Sequence, residues 1–239
     1  MHRMLLTIIA LVTCTLAPEA HAGGGAWVEG KNYVLLDSLQ HTQVAAGKVE
    51  VLEVFSYGCP ACNDFQPLIE QLERSLPSNA QMAFLPASFS AAEDMPMFQR
   101  AFIAAQSLGI ATRAHQAIFD AVWKTGELAV VDPATHRLKS RLPTLEDAAR
   151  CYARLTGVKA EEFLRAARSF SVDTKVRAAN AEVGAMQVPG TPCLVVNGKY
   201  RVELDSLSGP NDVIDIVKFL VSKESARPGA QQGKRSPSR

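Results

Sequence analysis

Cys59 and Cys62 stand in the order Cys59-Pro60-Ala61-Cys62, just after the mostly apolar, β-branched run Val49 to Phe55 and the turn residue Gly58. Two thiols at this spacing can form, break and exchange a disulfide. The attacking species is the thiolate, so the chemistry needs a means of lowering one thiol's pKa. A helix that starts at the first cysteine supplies it, through unpaired N–H groups and the positive end of the helix dipole. Cys62, a turn further in and less exposed, is placed to resolve the mixed disulfide that Cys59 forms. The other readings of the pair are a structural disulfide or half a zinc site. Zinc needs two further ligands, and Cys151 and Cys193 are far apart in sequence.

The elements around the pair suit this task. From Val51 to Phe55 only Glu53 is polar, as in a buried central strand. After Pro60, which fits the first turn of a helix, Cys62, Phe65, Ile69, Leu72 and Leu76 recur at helical spacing. Pro67 removes an interior hydrogen bond and predicts a kink. Gln81 to Ala87 reads as the next strand and Lys31 to Leu36 as a short edge strand.

The pattern then turns helical from about Ala91 to Ser169. One stripe is Phe98, Phe102, Ala105 and Leu108, a second His115, Ile118 and Val122, and a third Leu145, Ala148, Tyr152 and Leu155. Thr144 to Asp147 resembles a capping box with Asp in the place of Glu. Glu161 to Phe170 reads as a fourth helix, and Leu128 to Pro143 as an exposed loop. His115, with no nucleophile near it in sequence, reads as a packing residue. A further helix carries Val172, Val176, Ala179 and Val183. Two strands joined by Asn197-Gly198, a pair that favours a type I′ hairpin, follow it, and Pro210 opens a last helix. The order β-α-β, helical block, α-β-β-α describes a small α/β domain with a helical insertion.

Composition excludes several classes of function. Lys+Arg 25 against Asp+Glu 24 leaves a net charge of +1, which gives no reason to expect nucleic acid. His2 and Arg3, the apolar run Met4 to Ala17 and the small residues of Ala20-His21-Ala22 predict a secretory signal cut after Ala22. Export puts the remaining Cys59, Cys62, Cys151 and Cys193 in an oxidising compartment. Cys151 and Cys193 read as small buried hydrophobes, with a disulfide between them as the alternative. Residues 224–239, rich in Pro, Gly, Ser and Arg, read as a disordered tail.

Two blocks together resemble the DsbA family of periplasmic thiol–disulfide oxidoreductases. They are Glu53-x-Phe55-Ser56-x-x-Cys59-Pro60-x-Cys62 and Gly190-Thr191-Pro192-x-Leu194-x-Val196-Asn197-Gly198-Lys199-Tyr200. The resemblance covers roughly Gly30 to Lys223 and implies an α/β thioredoxin fold with an inserted all-helical domain. It divides the chain into thioredoxin-like parts at 23–90 and 170–223 and an insertion at 91–169.

The resemblance also implies roles. Cys59 is the nucleophile, bonded to Cys62 in the oxidised form, and Pro192 is a cis-proline packed against the site. Thr191 offers its backbone to an extended substrate, beside Pro60 and Ala61. Glu53 is a buried acid that takes or relays the Cys62 proton, although in an alternating strand it could equally face solvent. No cofactor or metal is implied. The implied activity is donation of the disulfide to newly exported proteins, by a monomer that a DsbB-type, quinone-linked membrane oxidase re-oxidises. A reductase or isomerase of the same fold, or a thiol-based metal carrier, is the alternative. Ala61 departs from the commonest family form, which has a thiolate-stabilising histidine there.

Overall fold

The computed structural model describes residues 27–89, 95–132, 134–135 and 137–226. The expected signal segment, Cys14 and nearly all of the expected tail lie outside these residues. Five strands form one mixed sheet: β1 (Tyr33–Leu35), β2 (Val49–Phe55), β3 (Ala80–Pro86), β4 (Cys193–Val196) and β5 (Tyr200–Val202), in the order β1-β5-β4-β2-β3. β2 runs parallel to β3 and antiparallel to β4, with Val54 opposite Cys193. That register places the loop leaving β2 beside the loop entering β4, which are the two blocks singled out in the sequence.

The two faces of β2 feed separate cores. Val49 and Val51 pack with Ile69 and Leu72 of α1 (Pro60–Ser75) and with Ile216, Val217 and Leu220 of α7 (Pro210–Ser225). Leu52 and Val54 pack on the other side against the helical block. This block contains α2 (Met95–Ser107), α3 (Ala111–Trp123), α4 (Leu145–Thr156) and α5 (Ala160–Ala167), and α6 (Phe170–Ala185) packs along α2. The fold is thus the expected α/β thioredoxin type with a helical insertion between β3 and α6.

Local chemistry accounts for the element ends. At the start of α4, Thr144 accepts from the Asp147 N–H while the Asp147 carboxylate accepts from the Thr144 N–H. That reciprocal cap contributes about 1 kcal/mol. The hairpin turn has φ 55° at Asn197 and 60° at Gly198, and Lys199 N–H donates to the Val196 carbonyl at 3.1 Å. Both positive φ values belong to a type I′ turn. A Cβ on Gly198 would lie 2.4 Å from the Gln40 carbonyl oxygen, so the close approach of the segment after β1 also demands glycine. α1 runs unbroken through Pro67.

Two expectations need correction. Leu128, Ala129 and Val130, placed by sequence in an exposed loop, are buried in the helical core. They form an apolar triplet too short for a periodic signal, drawn inward as Leu128 N–H donates to the Ala121 carbonyl at 2.9 Å. The last helix extends to Ser225, so residues 224 and 225 do not belong to a tail. Buried Glu224 accepts from Asn197, Lys199 and Tyr200 at 2.9 Å each and ties α7 to the hairpin. Glu50, the other carboxylate of β2, is also buried and accepts from the Gln43 N–H at 2.6 Å.

Candidate functional site

The dithiol sits where β2 gives way to α1. Cys59 is the N-cap residue, extended at φ −88° and ψ 118°, and Pro60 follows in the first helical turn. Its N–H donates to the Ser56 carbonyl at 3.2 Å, and its own carbonyl accepts the first helical bond, from Asn63 N–H at 3.2 Å. The Cys59 side is the more accessible, 8% exposed against 0% for Cys62. Both are free thiols in this structure.

The loop before β4 closes over the first sulfur. The Thr191–Pro192 peptide bond is cis. As a thiol, Cys59 donates to the Thr191 carbonyl at 3.3 Å. As a thiolate it accepts from the Cys62 thiol first of all, and burial opposes this. The Thr191 hydroxyl and the N–H groups of Cys62 and Ala61 add support, and the pKa is lowered from 9.0 to about 6. The helix start therefore contributes, but the neighbouring thiol contributes more. Cys62 is driven the other way, far above the ordinary thiol range, by burial and by its bond to Cys59. One thiol is ionised near neutrality and its partner holds its proton.

Glu53 lies on the α1 side of β2 and is fully buried. Burial raises its pKa from 4.5 to about 8; a bond from Gln66 opposes the rise and the charge on Cys59 adds to it. The carboxyl close to the dithiol is therefore mostly neutral at pH 7. Gln66 also reaches the Cys62 carbonyl at 3.4 Å, joining the acid to the second cysteine's turn.

A groove of about 540 Å³ opens beside the dithiol, with Ala61, Phe65, Thr191, Pro192, Arg201 and Glu203 in its lining. Pro60 lies outside that lining. The structure thus brings Cys59, Cys62, Glu53, Ala61, Thr191 and Pro192 to one place. Cys151 and Cys193 are free and buried, and burial pushes their thiols up to about 11 and 12. Among the described residues no three His, Cys, Asp or Glu side chains are grouped to hold a metal ion.

Sequence reading missed Gln66, Tyr57 and Trp123. Gln66 had a signal, a polar residue four positions after Cys62 and therefore on the same helix face. The Trp123 indole N–H donates to the Tyr57 carbonyl at 2.8 Å across 66 residues, and no local pattern marks that pairing. His115 is a buried packing residue, as expected, and its Nδ1 lies 3.0 Å from the Tyr57 hydroxyl.

A family model for the DSBA-like thioredoxin domain matches residues 50–217. The thiol:disulfide interchange protein DsbA of Pseudomonas aeruginosa is 31% identical over 226 residues, covering 95% of this chain and 98% of the relative. The DsbA of Pseudomonas syringae pv. tomato is 33% identical over 224 residues, covering 94% and 97%. The crystal structure of the Pseudomonas aeruginosa DsbA superposes with a TM-score of 0.68 at 32% identity, over 84% of this chain and 95% of that one. That of the DsbA oxidoreductase from Xylella fastidiosa gives 0.70 at 30% identity, over 84% and 98%. Matched by the family model over most of its length and more than 30% identical to these relatives across nearly the whole chain, this protein belongs to the DsbA family of thioredoxin-fold proteins.

Proposed function

We propose that the protein is a dithiol oxidase that donates the Cys59–Cys62 disulfide to newly exported proteins. The observation that carries this reading is the asymmetry of the pair. A Cys59 thiolate stable to about pH 6 makes the reduced form the favoured product. A substrate thiolate attacks the Cys59 sulfur, forming the mixed disulfide and breaking the Cys59–Cys62 bond. Cys62 leaves as a thiolate and takes a proton, for which neutral Glu53, whose carboxyl acts electrostatically on Cys62, is the donor. A second substrate thiolate then attacks the substrate sulfur, and Cys59 departs as the stabilised thiolate. Two electrons have moved from substrate to enzyme. Thr191 and Pro192 hold the substrate strand over Cys59, with Pro60 and Ala61 on its other side.

No helix among the described residues is long and apolar enough to cross a membrane. We place the protein in the periplasm, delivered by a cleaved signal at 1–22, with domains at 23–90, 91–169 and 170–223. It works there as a monomer that a DsbB-type, quinone-linked membrane oxidase returns to the disulfide form. The test mixes oxidised protein with a reduced, unfolded protein containing two cysteines. One substrate disulfide should appear for each Cys59–Cys62 pair reduced. A reductase or isomerase would leave that substrate reduced at equilibrium with glutathione, and a metal carrier would bind metal tightly without turnover.

A further inference from the structure

The turn that carries Cys59 is gripped from outside the thioredoxin-like sheet. Tyr57 lies two residues before the nucleophile, and α3 holds it at both ends. Its carbonyl accepts from the Trp123 indole N–H at 2.8 Å, and its hydroxyl meets Nδ1 of His115 at 3.0 Å. Between these points its ring is fixed edge-on by Phe55 and Phe119, with centroids 5.0 and 4.8 Å away. His115 stays neutral, because burial lowers its pKa to about 3. The grip therefore does not change across the pH range in which the dithiol works.

The next peptide unit leads directly into the site. Gly58 N–H donates to the Ser56 hydroxyl at 3.3 Å and Cys59 N–H to the Ser56 carbonyl at 3.2 Å. The Tyr57–Gly58 peptide plane is thus fixed by Trp123 on its carbonyl side and Ser56 on its N–H side. A rotation of that plane releases Gly58, and glycine gives little resistance to it. Cys59 would then lose its aim at the Ala61 and Cys62 N–H groups. We propose that Trp123 is a positioning residue for Cys59, its indole N–H fixing through the Tyr57 carbonyl the turn that presents the nucleophile at the helix start. The inserted helices then help set the dithiol's redox character as well as covering it.

This inference rests on Cys59 being the low-pKa thiolate, so the experiment measures that first. Thiolate absorbance against pH is recorded for the full chain, for Trp123→Phe and for Val122→Ala, with glutathione equilibria and unfolding curves for each. Trp123→Phe keeps a ring and removes the donor. Val122→Ala damages the packing of the same helix, where Val122 is buried, and leaves the donor in place. Trp123→Phe should raise the Cys59 midpoint by at least about half a pH unit, an approximately threefold loss of thiolate below the midpoint. Its glutathione equilibrium should move by a similar factor towards the disulfide. Val122→Ala should unfold more easily with an unchanged midpoint. An unchanged midpoint in Trp123→Phe, or an equal shift in Val122→Ala, overturns the proposal. If Trp123→Phe does not fold, the unaltered protein decides through the ¹⁵N-indole resonances of its two tryptophans, Trp27 and Trp123. The Trp123 signal should follow the Cys59 titration, and a signal that ignores it overturns the proposal. An ordinary thiol midpoint in the unaltered protein would instead refute the thiolate assignment on which this inference stands.

Discussion

Gln66 donates its side-chain amide to Oε1 of Glu53 at 3.4 Å, in a core where Oε2 of the same carboxyl has no hydrogen-bond partner among the described residues. One long hydrogen bond to one oxygen is too little to hold a buried carboxylate ionised. Desolvation wins, and the group keeps its proton well above the usual carboxylate range.

Glu53 should therefore leave a signature in stability against pH. From 4.5 to about 8 the folded protein keeps the Glu53 proton that the unfolded chain releases. Wild-type stability should fall as pH rises through that window. Glu53→Gln lacks this slope, so its advantage should be absent at pH 4 and grow to a ceiling of about 5 kcal/mol near pH 8. Urea unfolding of the oxidised proteins at several pH values measures it, because oxidation removes the thiol titrations. Parallel profiles would mean that Glu53 is ionised in the folded state at neutral pH.

Cys59 works in the opposite direction and only in the reduced protein. Its folded pKa of about 6 lies below the ordinary 9.0, so between these values the native state has lost a proton that the unfolded state retains. Reduced-state stability should rise with pH relative to the oxidised state across this window, and the gain should be lost as pH falls through 6. About 2 kcal/mol is expected after allowance for solvent screening at the mouth of the site. The disulfide's own effect on the unfolded chain is an offset that pH does not change. Paired unfolding curves at pH 5.5 and 8.5 test this.

The two cysteines should fail differently. Cys59→Ser removes the attacked sulfur and should abolish exchange. Cys62→Ser leaves a Cys59 thiolate that can still attack a substrate disulfide and release one substrate thiolate, but no Cys62 thiol remains to displace it from the mixed disulfide, so complexes with substrate should accumulate. Mass spectrometry of trapped complexes identifies the bonded cysteine, and a bond found only at Cys62 reverses the assignment.

Position 61 tests the electrostatics directly. Thiols at helix starts reach down to about 3.5, and this Cys59, with no imidazole at position 61, stands at about 6. Ala61→His should lower the midpoint and make the disulfide a stronger oxidant. The natural protein should be less oxidising than the roughly −120 mV of the family's strongly oxidising member. Thiolate absorbance and glutathione equilibria for both proteins check this, and equal midpoints would mean that another group has taken the place of the histidine.

Much of this was legible in the chain because it is written locally. The stripe from Cys62 to Leu72, the Thr144–Asp147 cap and the Asn197-Gly198 turn each depend on neighbours a few residues away. Other features depend on distant partners. Glu50 and Glu224 look solvent-facing until the Gln43 N–H and the hairpin side chains meet them. Leu128 to Val130 is too short a run to reveal its burial. The Trp123–Tyr57 bond follows from how the insertion folds back over the sheet, which residue spacing does not encode.

The contact between Cys59 and Thr191 joins residues 132 positions apart. Until the whole helical block and the loop entering β4 have been made and folded, Cys59 lacks the Thr191 hydroxyl. Before then Cys59 has only the support of its own turn, from the Cys62 thiol and the N–H groups of Ala61 and Cys62. The full set of thiolate supports therefore exists only once the last strands are in place.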